Sequence, residues 1–409
     1  MSIRWSDILE QTLTFSPGSK ADLRAFFAPG RVNLIGEHTD YNGGYVLPAA
    51  LSIGTWVLVR PRNDRRFRFA STFSDLIVDV DRAQISYDPA YEYANYPLGV
   101  IDILQREGVE IEGADFFFHG NLPIGAGLSS SASVEVATAA AVDALAGAGL
   151  SKEKMALLSQ RAENEFVGVN CGVMDQFAVA MGKADAALSL NCQTLAYQLV
   201  AMHASGYQLV IANTNVPRKL AGSKYNERRA ECEAALSILR KEWPQLTALA
   251  DISPAQWPQA VALLEQAKSA EHDIDVLVRR ARHVIFESDR ARRAADLLRN
   301  GDLQAFGESM NESHRSLRDD YEVTGEALDA LVEAAWNAQG CIGSRMTGAG
   351  FGGCTVSLVA REKVSTFTAS VAQQYKQRTD REPSFYITDI GDGVHEISVN
   401  SLVDNVTAS

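Results

Sequence analysis

Between residues 28 and 42 the chain reads Ala-Pro-Gly-Arg-Val-Asn-Leu-Ile-Gly-Glu-His-Thr-Asp-Tyr-Asn, which packs Arg31, Glu37, His38 and Asp40 into ten residues among turn-formers. Carboxylates accept hydrogen bonds from paired hydroxyls, and an arginine offers a planar fork of donors. The same residues also read as a polar surface turn in which Asn33 and Asp40 bond their own backbone. A zinc cluster fits worse, because a single histidine is thin ligation and the i, i+4 histidine pair of a helical site is missing.

A second candidate runs from Pro123 to Ser133. Gly125 and Gly127 let the backbone approach a ligand closely, and Leu128, Ser129, Ser130, Ser131 and Ala132 lead into an Ala-rich helix. The N-terminus of that helix presents unpaired N–H groups and a positive dipole end, which favours a phosphate. Serine hydroxyls add donors for phosphate oxygens and ligands for Mg²⁺. No lysine follows the last glycine, so this is not a Walker A loop. On its own it is equally a Gly/Ser turn that caps a helix.

The elements that must hold these residues follow from periodicity. Residues 24–120 read mainly as strands and turns, with strand signals at Tyr45–Arg60, Arg66–Phe69 and Asp115–His119. A helix is predicted from about Ser130 to Ala146, since the segment has strong helix formers and no internal Pro or Gly. A second helical stretch, Ser151–Glu165, precedes a glycine-containing turn and Met174-Asp175-Gln176-Phe177. Gln208–Ala212 opens the second half as a strand. Cys232, Ala235, Leu236, Leu239 and Trp243 share one helical face, and Cys354–Val359 reads as the final strand. The Arg-rich run from Arg279 to Arg299 is interspersed with Glu287, Asp289 and Asp296, the pattern of a solvated helix surface. The expected fold class is α+β, in two lobes of residues 1–200 and 201–409 with the chemistry in the cleft between them.

Composition narrows the partners. A net charge of −13 disfavours nucleic acid and an anionic membrane surface. No stretch approaches the ~20 apolar residues of a membrane span, and the first residues lack the apolar run of a signal peptide. The cytoplasm is the expectation. Five cysteines without a short-spaced pair argue against a disulfide framework.

The segment APGRVNLIGEHTDY closely resembles the signature of the galactokinase family. LPIGAGLSSSAS resembles the phosphate loop of the wider group of galacto-, homoserine, mevalonate and phosphomevalonate kinases, and Gly348-Ala349-Gly350-Phe351-Gly352-Gly353-Cys354 resembles that group's third motif. Two further runs, Arg279–Arg290 and Met310–Thr324, are similar to galactokinases. The resemblance implies an N-terminal lobe like ribosomal protein S5 domain 2 and a ferredoxin-like C-terminal lobe. It implies transfer of the γ-phosphoryl group of ATP to the C1 hydroxyl of galactose. By resemblance Glu37, His38, Asp40, Gly172 and Tyr225 bind the sugar, although Tyr225 also reads as a half-buried aromatic opening a helix. Asp175 is implied as the catalytic carboxylate, with Arg31 bridging it to the γ-phosphate. Ser131 and Glu163 are implied as the Mg²⁺ contacts, with family spacing choosing Glu163 over nearby Glu165. A monomer is implied as well.

Three other functions compete. A sister kinase for N-acetylgalactosamine or arabinose would differ only around Asn42–Tyr45 and the turn before Asp175. A sugar and ATP sensor without turnover has no need for all of Arg31, Ser131, Glu163 and Asp175. For a mevalonate-type or homoserine-type kinase, the Glu37–Asp40 row is poorly suited to the substrate.

Overall fold

The structure is a computed structural model that describes residues 4–123, 127–204, 206–216, 221–267 and 273–404. Helix α1 (Trp5–Phe15) is followed by strands β1 (Arg24–Asn33), β2 (Tyr45–Val46), β3 (Pro48–Arg62), β4 (Arg66–Ser71) and β5 (Val78–Asp81). Helix α2 (Asn95–Arg106), strand β6 (Gly113–Gly120), helices α3 (Ser130–Ala146), α4 (Lys152–Arg161) and α5 (Met174–Met181), and strands β7 (Ala186–Asn191) and β8 (Tyr197–Ala201) complete the first half. The second half opens with β9 (Tyr207–Asn213) and five helices: α6 (Ala221–Leu239), α7 (Trp257–Gln266), α8 (Ile274–Arg299), α9 (Leu303–Asp319) and α10 (Glu326–Trp336). Strands β10 (Cys341–Thr347) and β11 (Cys354–Ala360), helix α11 (Val364–Thr379), strands β12 (Ser384–Thr388) and β13 (His395–Ile397), and helix α12 (Val399–Asp404) follow.

A six-stranded sheet has the order β13-β1-β3-β6-β4-β5, a four-stranded sheet the order β10-β11-β9-β12, and a three-stranded sheet the order β2-β7-β8. Strand β6 shows why the first sheet needs cover on both faces. Its Phe116 and Phe118 point into one core with α2 and α3, while Phe117 points the other way to Ile8 of α1 and Leu58. Helix α3 is buried on every side from Ala132 to Val142, as an Ala/Val-rich helix with no polar face must be. It ends at Gly147, in the left-handed region at φ 64°.

The predicted boundaries of α3 and the strand over 208–212 agree with the structure. Two readings need correction. The stretch 24–120 also contains α2, whose buried Leu98, Ile101 and Leu104 lie at helical spacing. The strand at 354–359 is not the last, because β12 and β13 follow it. Their short, partly exposed runs carry little periodicity to read.

The sheets change between β8 and β9, close to residue 200, but the chain does not divide cleanly there. Strand β13 returns to pair with β1, with Ala25 opposite Ile397 and Phe27 opposite His395. One hydrophobic core joins Val32, Leu47 and Ala187 to Ile211, Phe306, Met310 and Val356. Among the described residues no helix is long and apolar enough to cross a membrane.

Helix α8 crosses this seam. Most of its arginines pair at the surface, as Arg292 and Arg293 do with Asp289. Arg280 instead is 2% exposed and reaches Glu231, Glu322 and the carbonyl of Asp320. Glu287 faces inward too, accepting from the Gly36 N–H at 2.9 Å and from Ser313 Oγ. Burial opposes its charge, but Arg290, His283 and Arg345 outweigh burial and hold its pKa down at about 2. A depressed carboxylate contributes stability above its unfolded pKa of 4.5, and that contribution is lost as pH falls towards 2. We expect Glu287→Gln to lower stability at pH 7 by about 3–5 kcal/mol, as for other broken buried pairs. Thermal denaturation across pH should show the gap closing below pH 4.5.

Candidate active site

Arg31 lies on β1 where a bulge interrupts the register with β3 between Pro29 and Arg31. Bulges re-aim side chains, and this one sets the guanidinium toward α5. Arg31 Nε donates to Asp175 Oδ1 at 2.8 Å and Nη2 to Oδ2 at 2.9 Å, a bidentate fork. Its third nitrogen, Nη1, donates to the carbonyl of Gly127 at 2.7 Å. Asp175 sits in the first turn of α5, where the helix dipole favours a negative charge. It remains partly open to solvent, while Arg31 is buried.

The Gly/Ser segment from Gly127 onward packs against this pair. A Cβ on Gly30 would come within 2.9 Å of the Leu128 carbonyl, so the loop can approach only a glycine. The Arg31 N–H donates to that same carbonyl at 3.1 Å. Ser129 holds left-handed backbone (φ 60°) and donates its hydroxyl to Asp175 Oδ2. Its side chain thereby helps to orient the aspartate. Ser130 is exposed at the start of α3, Ser131 is half-buried, and Ala132 is buried beneath them. Gly125 and Ala126, also expected in the loop, lie outside the described residues.

Glu163 follows α4 on a π-helical turn, Ala162–Val167. The widened turn brings Glu163 inward, where Gln176 Nε2 donates to its Oε2 at 2.8 Å and the Ser131 hydroxyl also reaches it. Glu165, two residues on, is exposed and pairs with Arg161. The two glutamates therefore differ in direction, Glu163 inward and Glu165 towards solvent. Burial and the charge of Asp175 push the Glu163 carboxyl up to about 7. Gln176 also donates to buried Glu135 at 3.0 Å, and Glu135 Oε1 has no partner. Glu135 escaped the sequence reading because it sits in a helix that looks purely structural. Among the described residues, no three His, Cys, Asp or Glu side chains converge to hold a metal unaided.

Arg31, Glu37, His38, Asp40, Gly172, Asp175 and Tyr225 all line one cleft of about 410 Å³, within the size range of small-molecule sites. Ala349 of the third glycine motif lines it as well, together with Cys171 and Asn226, which were not among the predicted site residues. Asp40 Oδ2 lies 1.9 Å from where a Cβ on Gly172 would stand, so the glycine makes room for the carboxylate. Burial first, then the charges of Asp175 and Glu37, push the Asp40 carboxyl up to about 7. Glu37 is 2% exposed, and its Oε2 accepts from Arg345 Nη2 at 2.7 Å. Burial raises its pKa, while Arg345 and Arg31 work against that rise. The cleft thus presents acceptor oxygens in a row, with an arginine–aspartate pair at the end nearest the loop.

Comparison with known proteins places this geometry. Residues 95–183 match the GHMP kinases N terminal domain, residues 14–61 the galactokinase galactose-binding signature, and residues 294–377 the GHMP kinases C terminal. The chain is 47% identical to the galactokinase of Halalkalibacterium halodurans over 93% of this chain and 95% of that one. It is 46% identical to the galactokinase of Bacillus subtilis, over 93% and 96%. The crystal structure of Lactococcus lactis galactokinase complexed with galactose matches with a TM-score of 0.90 at 39% identity, covering 96% of this chain and 99% of that one. The mevalonate kinase of Methanococcus jannaschii shares the fold, with a TM-score of 0.62 at 16% identity over 91% and 100% of the two chains.

The raised carboxyl of Asp40 has a consequence for stability. Between its ordinary pKa of 3.8 and about 7 the folded protein holds a proton that the unfolded chain releases, so stability falls as pH rises through that window. Asp40→Asn keeps the shape and removes the charge. We expect it to melt above wild type at pH 8, by roughly 2–4 °C for each kcal/mol relieved, and level with it near pH 4; a differential melting series checks this.

Proposed function

The chain belongs to the galactokinase family, a branch of the GHMP kinases, and on that premise we propose that it transfers the γ-phosphoryl group of ATP to the C1 hydroxyl of galactose. The observation that carries the reading is the Arg31–Asp175 fork at the meeting point of the acceptor-lined cleft and the phosphate loop. Glu37, His38, Asp40, Tyr225 and the backbone at Gly172 hold the sugar, so that its C1 hydroxyl faces Asp175. Gly127, Leu128, Ser129 and the first turn of α3 hold the phosphates, with the positive end of the helix directed at them.

Carboxylates are weak bases towards an alcohol, so early proton removal is not the source of rate. Phosphoryl transfer runs through a loose transition state that asks mainly for positioning and charge stabilisation. Asp175 orients the hydroxyl and receives its proton late, as the O1–phosphorus bond forms and the bond to ADP breaks. Arg31, tied to Asp175 through two nitrogens, sets its charge beside the transferring group.

Glu163 and Ser131 suit a magnesium ion, because the raised carboxyl of Glu163 and the unpartnered oxygen of Glu135 mark unbalanced negative charge beside the loop. Bound there with the nucleotide, magnesium would offset phosphate charge.

ADP release from MgATP across galactose, 2-deoxygalactose, N-acetylgalactosamine, arabinose, glucose and mevalonate tests the reading. Turnover should be greatest on galactose, with product phosphorylated at C1; a preference for another sugar would overturn the substrate assignment. Asp175→Asn should lower kcat by roughly 10²–10⁴ with the fold intact, and near-normal turnover would remove Asp175 from its role. Gly172→Ala forces its new methyl against Asp40, so it should raise the galactose KM at least about tenfold, as expected when one good hydrogen bond is misplaced, and leave the KM for ATP alone.

A further inference from the structure

Asp175 and Gln176 are neighbours in the first turn of α5, and their side chains leave the helix in different directions. Asp175 turns to Arg31 and Ser129 in the cleft. Gln176 is fully buried and turns to two carboxylates. Its Nε2 donates to Glu163 Oε2 at 2.8 Å and to Glu135 Oε2 at 3.0 Å. An amide NH2 carries two hydrogens, so the one nitrogen serves both oxygens. Glu135 is fully buried on α3, and Glu163 is nearly so on the π-helical turn after α4. Three elements thus meet at a single amide, one residue along the chain from Asp175.

The neighbours of this amide set its direction. A carboxylate that ligates a metal is ionised, and an ionised Glu163 can only accept hydrogen bonds. Were the amide reversed, its carbonyl oxygen would stand where Nε2 now lies, acceptor against acceptor. Without the amide, Glu135 and Glu163 would face each other with no donor between them. The other donors beside Glu163 are weaker guides. Ser131 is itself assigned to the ion, and the Cys171 thiol is a weak donor 3.5 Å from Oε2. Gln176, in contrast, stands on a helix whose next four residues, Phe177 to Ala180, are all buried.

We propose that Gln176 is a positioning residue for the metal: its amide holds Glu163 off Glu135 and keeps the Glu163 carboxylate directed to Ser131, in register with Asp175 on the same turn of α5. Magnesium demands near-ideal octahedral geometry, so the direction of a ligating carboxylate matters as much as its presence. Hydrogen bonds behind a ligand are what fix that direction. One rigid helix then sets both the carboxylate beside the transferring group and the carboxylate beside the ion. The inference rests on the assignment of magnesium to Glu163 and Ser131, and on none of the sugar assignments.

Calorimetry on the full chain tests it. Gln176→Met keeps the bulk of the side chain and removes the donor. Its affinity for MnADP, taken relative to metal-free ADP, should fall about 10–100-fold, as for other lost hydrogen bonds behind a metal ligand. Galactose binding, measured without metal or nucleotide, should stay at the wild-type value. An unchanged ratio of the two ADP affinities, or an equal loss of galactose affinity, would mean that Gln176 merely fills the core and would overturn the proposal. Should Gln176→Met fail to fold, Gln176→Asn takes its place with the same expectation, because it withdraws the amide by one methylene. Glu163→Gln separates the proposal from the reading beneath it. A loss of MnADP affinity there but not in the Gln176 variant rejects the positioning role alone; no loss in either rejects the metal assignment with it.

Discussion

The site depends on one desolvated ion pair. Arg345 of β10 is fully buried and donates through Nη2 to Glu37 and through Nη1 to the carbonyl of Asn33, both at 2.7 Å. Such a charge is tolerated away from water only where its partners are fixed. The loop that carries Glu37, His38 and Asp40 is therefore shaped by the second half of the chain. Glu287 holds the Gly36 N–H from α8, and His283 Nε2 lies 3.0 Å from the Glu37 carbonyl. The acceptor row is a property of the seam between sheets rather than of the loop itself.

What could be read in advance follows from this. Residues that act through a local pattern were legible: the Arg31–Asp40 segment, the Gly/Ser turn, and the ends of α3, which Gly147 and the Ala-rich run mark plainly. Residues that act through a distant partner were not. Arg345 sits in a strand of mixed small and apolar residues and meets Glu37 308 positions away, while Glu135 lies inside a helix and meets Gln176 41 positions away; only the packing of elements gives them meaning. The return of β13 was illegible for the same reason, since three residues of which two are exposed carry no period. That Glu37, Asp40, Gly172, Asp175 and Tyr225 share one cleft was within reach because family resemblance supplied the long-range relations that spacing cannot.

Local conflict gathers at the same place. His38 and Ser129 both hold left-handed backbone, which β-carbon residues avoid. Asp40, Glu163 and Glu135 are carboxyls whose ionisation burial opposes. Arg31 and Gln176 offset this only in part. The compensation is the seam core around Val32, Ile211 and Met310 and the fully buried α3. The surrounding apolar structure keeps these buried carboxyls and strained turns from relaxing.

Strand β13 places a limit on when the molecule can finish folding. It covers the outer edge of β1, and Arg24 is tied to Glu396 at 2.8 Å across 372 positions. A ribosome adding about 5–20 residues per second leaves β1 waiting roughly 20–75 s before that strand exists. Throughout that interval β1 presents unpaired N–H and C=O groups, a template for any extended chain nearby. Yield in the cell should therefore hinge on how well this nascent edge is shielded during translation, a pressure that acts before a sugar or a nucleotide is ever bound.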